Sequence, residues 1–352
     1  TTGELVASKN GDEKLSPYSI TKLMTALIIA ENHKMDEKVI ISAEAAKQDG
    51  SSMEIEEGEE VTVEELLNGL LILSGNDAAY TLAEYDSGID AFAEKMNKKA
   101  KELGCTNTHF VNPSGLKADG HYTSANDFVK IANAALANKD IAKIAGALKY
   151  KMPATNKQKE RIFETHLDQR DIKNSGVIAG KTGYWEDDDC SIAVRYNKDN
   201  LMLTVVLIGD TKEERANDAN KAFEYAHKSL ESVKVVRRGK EVKKCWIAGG
   251  ERTLIPVYSE ASSIVYPKNG DKDSTYYKVK LNSKVKAPLE KGDIVGRADI
   301  YSDGKKMESV PVYVNADVKE GWIFSKAYIS NVGIVCIGIG IVIVLLTIFI
   351  VR

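Results

Sequence analysis

The sequence predicts a mixed α and β domain, then a small all-β domain, then an apolar C-terminal span. Three observations carry this. Helix caps and β-rich runs alternate over residues 1–232. Between 233 and 320, short β-prone runs alternate with turn residues and no helical period appears. The run Ile334 to Val351 is uncharged and almost wholly apolar over 18 residues, about 27 Å of helix against a hydrocarbon core of about 30 Å.

In chain order, Ser19 to Ala30 is a run of helix formers with Ile20, Leu23, Met24, Leu27, Ile28 and Ile29 on nearly every side, the pattern of a buried helix. Thr62 with Glu65 forms a capping box ahead of an apolar stripe ending at Leu73, and Ser124 with Asp127 opens a helix through Leu136. Ser191 to Val194 and Leu201 to Ile208 flank the turn residues 197–200 and read as a hairpin. Asp218 to Leu230 reads as a closing helix. Helices packed on a sheet follow from this order. In the second domain the punctuation falls at Gly239, Gly249-Gly250, Asn269-Gly270, Lys291-Gly292-Asp293 and Asp303-Gly304, the spacing of a small sandwich. The chain starts at Thr1 without methionine or an apolar leader, which suggests that targeting information lies outside it.

Composition excludes several classes. With 43% hydrophobic residues the chain is not disordered, and a net charge of −3 gives no electrostatic case for nucleic-acid binding. Four cysteines do not make a disulfide scaffold, and no histidine stands at metal-ligand spacing from another histidine or cysteine. Neither a metal nor a cofactor is expected.

Lysine is left as the candidate base. Ser-x-x-Lys places a hydroxyl and an amine on one helix face, but the pattern recurs at Ser19, Ser114, Ser283 and Ser302. Only Ser19 opens a buried apolar helix, so only Lys22 has a setting that would desolvate it. Desolvation can lower a lysine pKa by about 3 units, roughly 4 kcal/mol, leaving a neutral amine able to take the proton of Ser19. Ser74-Gly75-Asn76 follows the apolar helix, and Lys181-Thr182-Gly183 occurs once, with Gly180 before it and a β-rich segment after it.

In this order the motifs match the signature of penicillin-binding proteins and serine β-lactamases. The strings around Ser19-Ile20-Thr21-Lys22-Leu23-Met24, Leu73-Ser74-Gly75-Asn76-Asp77, Asn112-Pro113-Ser114-Gly115-Leu116 and His121-Tyr122-Thr123-Ser124 resemble D-alanyl-D-alanine carboxypeptidases, the low-molecular-mass penicillin-binding proteins. Ala287-Pro288-Leu289-Glu290-Lys291-Gly292-Asp293 resembles their stalk domain.

The resemblance implies a penicillin-binding, β-lactamase-like α/β (α+β) catalytic domain over 1–232 and a β-sandwich stalk over 233–320, while the apolar run itself predicts a transmembrane anchor over 327–351. The resemblance also implies removal of the terminal D-alanine from peptidoglycan stem pentapeptides through an acyl-enzyme on Ser19, with Lys22 as general base and Ser74 as proton relay. Asn76 would bind the substrate amide, Lys181 and Thr182 the terminal carboxylate beside Gly183, and Ser19 and Trp185 would supply the oxyanion N–H groups. β-Lactam antibiotics would acylate the same serine. The expected location is the cell membrane, with one C-terminal anchor and the catalytic domain outside.

Alternatives are a DD-endopeptidase acting on cross-links and a catalytically impaired wall-binding or sporulation scaffold. The second draws on Trp185 and the acidic run Glu186 to Asp189, which follow Tyr184 where the family usually continues with threonine and then alanine and glycine. Two further departures are a missing first strand and a tail apolar enough to span rather than lie on a membrane. Glu64-Glu65-Leu66-Leu67-Asn68 fits the deacylating-glutamate pattern of class A β-lactamases. It lies before Ser74, so these acids read as first-turn residues favoured by the helix dipole.

Overall fold

The structure is a computed structural model that describes residues 5–167, 176–199, 201–267, 273–321 and Ile339, with backbone alone described over 263–267. The chain divides into two compact units between Ser229 and Leu230.

The first unit opens on a 3₁₀ turn, Tyr18–Thr21, that runs into helix α1, Lys22–Asn32. Then come β1 (Lys38–Ile40), α2 (Ala43–Ala46), β2 (Glu60–Thr62) and α3 (Val63–Asn68). A π-turn, Gly69–Leu73, leads into α4 (Asn76–Asp86), followed by α5 (Ile89–Glu102), α6 (Ala125–Ala137) and α7 (Lys139–Ala145). Strands β3 (Lys149–Met152) and β4 (Arg161–Glu164) pair as a ribbon. β5 (Val177–Glu186), β6 (Asp189–Lys198) and β7 (Leu201–Asp210) form an antiparallel sheet in that order, closed by α8, Arg215–Ser229.

Helix α1 is buried because it packs on α4, α5 and α6. Leu23, Met24, Leu27, Ile28 and Ile29 all lie in the core with Phe92, Phe110 and Phe128. Full burial of such a side chain stabilises by about 1.5–3 kcal/mol. The expected helix from Ser19 is therefore present, but its first turn is 3₁₀. The capping box at Thr62 and Glu65 is formed, with Glu64 and Glu65 in the first turn. The stripe after it does not stay α-helical, because the backbone widens into the π-turn before Ser74. The closing helix starts earlier than expected, at Arg215. It stops at Ser229, and Leu230 begins a strand.

The second unit is all β among its described residues, apart from Ile339. Strands β12 (Tyr276–Leu281), β13 (Ile294–Ser302), β14 (Lys305–Val314), β10 (Leu254–Ser259) and β9 (Glu241–Trp246) form one antiparallel sheet in that order. β8 (Leu230–Val236) pairs with β11 (Ser262–Pro267). Val257, Val295, Ile300, Val312 and Val314 make its core. Asp299, buried on β13, is ringed by exposed Lys280, Arg297 and Lys306 at 2.9–3.3 Å. Apart from Ile339, the apolar run 334–351 expected to span a membrane lies outside the described residues. Among the described residues no helix is long and apolar enough to cross a membrane.

Candidate active site

Ser19 lies on the 3₁₀ turn and Lys22 at the first position of α1. In a 3₁₀ turn side chains three apart eclipse, and Lys22 Nζ stands 3.0 Å from Ser19 Oγ. The lysine is fully buried. Its other partners are Asn76 Oδ1 at 2.8 Å and the carbonyl of Ser114 at 2.7 Å. Both of these are acceptors only. Burial, with a contribution from nearby Lys181, holds the Lys22 amine well below the ordinary lysine range. A neutral amine has two hydrogens and one lone pair. The hydrogens are spent on Asn76 and Ser114, so the lone pair faces the Ser19 hydroxyl. That is the arrangement of a base accepting a proton from a nucleophile.

The second wall comes from the junction of the π-turn and α4. Ser74 adopts the left-handed conformation, φ 70°, rare for a residue with a Cβ. The π-turn and the αL residue together fix the start of α4, and such irregularities cluster at working sites. Asn76 is fastened three times: its side chain to Lys22 and to the carbonyl of Asp49, and its backbone N–H to Ser51. Its amide oxygen thus serves the lysine, and one Nδ2 hydrogen is left after Asp49. Asp77 ties the segment before α3 to α4, accepting from Met53 N–H and Ser52 Oγ.

The third wall is β5. Lys181 and Thr182 are buried, and Lys181 Nζ donates to the carbonyl of Thr182 at 2.9 Å. Burial, then the charge of Arg215, pushes the Lys181 amine down to about 7. Gly183 permits close approach. A Cβ there would stand 2.1 Å from Ser191 Oγ and 2.9 Å from the carbonyl of Pro17, next to the turn that carries Ser19. Trp185 falls at a register shift, opposite no residue of β6. Glu186, Asp187 and Asp188 are exposed around the hairpin turn, whereas Asp189 is half-buried and accepts from the Tyr18 hydroxyl.

Ser19, Lys22, Asn76, Lys181 and Gly183 are thereby brought together. Lys22 joins Ser19 to Asn76, Lys181 acts on Lys22 across the cleft, and Gly183 abuts the turn before Ser19. Three contributors were not singled out from sequence. The Ser114 carbonyl belongs to one of the other Ser-x-x-Lys copies. Arg215, on α8, donates to the carbonyl of Gly183 at 2.7 Å and brings a second cation to the strand. His166 donates Nε2–H to the carbonyl of Leu73, beside Ser74, at 3.0 Å. The Asn-Pro-Ser-Gly-Leu string was a signal for the first, and the others carried none.

Fold and site define a class of domain in which a buried lysine amine meets a serine hydroxyl at the head of a core helix. The D-alanyl-D-alanine carboxypeptidase family, peptidase S11, matches residues 1–212, and the C-terminal domain of penicillin-binding protein 5 matches residues 230–320. The chain belongs to this carboxypeptidase family. It is 35% identical over 328 residues to the D-alanyl-D-alanine carboxypeptidase DacF of Bacillus subtilis, covering 91% of this chain and 84% of that protein. It is 29% identical over 345 residues to DacC of Escherichia coli, covering 93% and 84%. Its backbone is similar to the crystal structure of penicillin-binding protein 5 from Haemophilus influenzae, with a TM-score of 0.62, 26% identity and coverage of 90% of this chain and 94% of that one.

Proposed function

We propose that the chain is a serine-type D-alanyl-D-alanine carboxypeptidase that trims peptidoglycan stem peptides. The observation that carries this is the buried Lys22 amine, with two obligate acceptors and Ser19 Oγ as its partners. The Ser19 proton passes to Lys22 Nζ as Oγ attacks the carbonyl carbon of the penultimate D-alanine. The oxyanion is met by the N–H groups of Ser19 and Trp185. The proton goes on to the leaving amine, with Ser74 as relay, and the C–N bond breaks to release D-alanine. Water then adds to the Ser19 ester, loses its proton to the same base and frees the shortened peptide. Lys181 and Thr182, with Arg215 behind them, hold the terminal carboxylate by charge and hydroxyl donation. A β-lactam acylates Ser19 in the same way.

The domain reading that goes with this is a catalytic domain over 1–232, a β stalk over 233–320 and a membrane anchor over 327–351, with the catalytic domain outside the cell. What supports the anchor is the uncharged 18-residue run alone. Deleting 327–352 releases the protein from membranes after a salt wash if that reading holds, and retention contradicts it. The catalytic reading is tested with a fluorescent penicillin. Wild type is labelled and Ser19→Ala is not; equal labelling of the two removes Ser19 from the role. Mass analysis of muropeptide products separates terminal trimming from cleavage of cross-links.

A further inference from the structure

The residue before the nucleophile is held in an unusual way. Tyr18 is an aromatic residue with φ 53°, a conformation that L side chains adopt rarely and only under restraint. The restraints are visible. A Cβ on Gly115 would stand 1.9 Å from the Tyr18 carbonyl, and one on Gly183 would stand 3.0 Å from Tyr18 Cβ, so backbone presses on the turn from both sides. Ser191 Oγ, on β6, donates to the carbonyl of Pro17 at 2.6 Å. From the start of the same strand, Asp189 accepts a hydrogen bond from the Tyr18 hydroxyl. The Tyr18 ring is buried and lies parallel to Trp185, with centroids 6.2 Å apart and planes at 10°.

We infer that Asp189 is a positioning residue: through the Tyr18 hydroxyl it fixes the turn that presents Ser19. A phenol reaching a carboxylate makes a strong, directional hydrogen bond, and its far end is anchored on β6, adjacent to β5, which carries Lys181. The strained turn and the carboxylate-binding strand are thereby held in one register, with Trp185 stacked against the link. The nucleophile and the N–H of Ser19 must stay within a fraction of an ångström of the attack geometry, and small misplacements cost large factors in rate. Asp189 is the last of the acidic run, and the three acids before it are exposed. The run is thus one structural carboxylate preceded by solvated ones.

The inference rests on Ser19 being the acylated residue. Its test compares wild type with Tyr18→Phe, Asp189→Asn and Asp189→Ala and the double variant Tyr18→Phe/Asp189→Ala. Penicillin acylation and D-alanine release from an acyl-D-Ala-D-Ala peptide are measured together with thermal melting. Tyr18→Phe keeps the ring stack and removes only the oxygen, which Ser16 also reaches. Positioning predicts that kcat and the acylation constant fall roughly 10- to 100-fold, with KM within about twofold and melting little changed for Tyr18→Phe. Asp189→Asn, still an acceptor through Oδ1, regains much of the loss seen in Asp189→Ala, and the double variant is no worse than the poorer single one. Unchanged kcat in Tyr18→Phe overturns the inference, as does a rise in KM alone or full additivity in the double variant. If Asp189→Ala does not fold, Tyr18→Phe with Asp189→Asn decides. A wild type that takes no penicillin refutes the nucleophile assignment instead, so the two failures are distinguishable.

Discussion

Replacing Asn76 by aspartate would test whether Lys22 works as a neutral base. The change is nearly isosteric and puts a carboxylate oxygen where Asn76 Oδ1 now stands, 2.8 Å from Lys22 Nζ. Two unit charges at about 3 Å, with an effective dielectric of about 20, attract by about 5 kcal/mol. At about 1.4 kcal/mol per pKa unit this lifts the Lys22 pKa by between three and four units, and desolvation of the new carboxylate removes part of that. The neutral fraction at pH 7 then falls about tenfold for each unit by which the lifted pKa exceeds 7, and acylation falls with it. The substitution also exchanges the Nδ2 donor to the Asp49 carbonyl for an acceptor, so melting must be followed in parallel. The assay is the second-order acylation constant with a chromogenic cephalosporin, taken as the ratio of variant to wild type at each pH from 6 to 10. Taking the ratio cancels the groups that titrate alike in both proteins. It should rise by about tenfold per pH unit until the lifted pKa is reached. A ratio that is low but flat with pH would refute the reasoning, because the loss would then be geometric and not protonic.

The Lys181 amine, pushed down to about 7 by burial and by Arg215, must be charged to hold a carboxylate. kcat/KM, which reports the free enzyme, should therefore decline as pH rises through about 7, while kcat declines at higher pH because bound carboxylate keeps the proton on. Arg215→Gln should move the kcat/KM decline upward and raise KM, read from pH–rate profiles. Gly183→Ala must displace the Pro17 carbonyl or β5, since its Cβ would lie 2.9 Å from that oxygen; acylation should drop by at least about tenfold. In the second unit, hydrogen bonds from Ser309, Lys306 and Lys280 hold the Asp299 carboxyl well below the usual carboxylate range. A lowered folded-state pKa contributes stability above the unfolded value near 3.9, and that stability is lost as pH falls through the folded one. Melting of the full chain between pH 3 and 7 should show a weaker acid dependence for Asp299→Asn than for wild type.

Much of the site was legible because local rules sufficed. Burial separated the four Ser-x-x-Lys copies. Lys22 is fully buried, whereas Lys117, Lys286 and Lys305 are exposed. Ser124 is a helix cap, as its spacing to Asp127 predicts, with Oγ accepting from Asp127 N–H. Other features depend on contacts far apart in sequence, which no local pattern encodes. The Ser114 carbonyl reaches Lys22 across 92 positions, and Asp189 reaches Tyr18 across 171. The π-turn before Ser74 also escaped, since its residues keep the apolar spacing of an ordinary helix and only the backbone widens. Asn76 shows how a residue can be found and its contact still missed. Its spacing marks it, but the structure shows its oxygen on Lys22, and that contact makes the lysine count close.

The most direct test of the central claim is D-alanine release from a diacyl-lysyl-D-Ala-D-Ala peptide by wild type, Ser19→Ala and Lys22→Ala. Wild type should release one D-alanine per peptide, and both variants should release none above background while melting near wild type. Release that persists in either variant, or an intact peptide after prolonged incubation with wild type, would contradict the assignment of Ser19 and Lys22 as nucleophile and base of a carboxypeptidase.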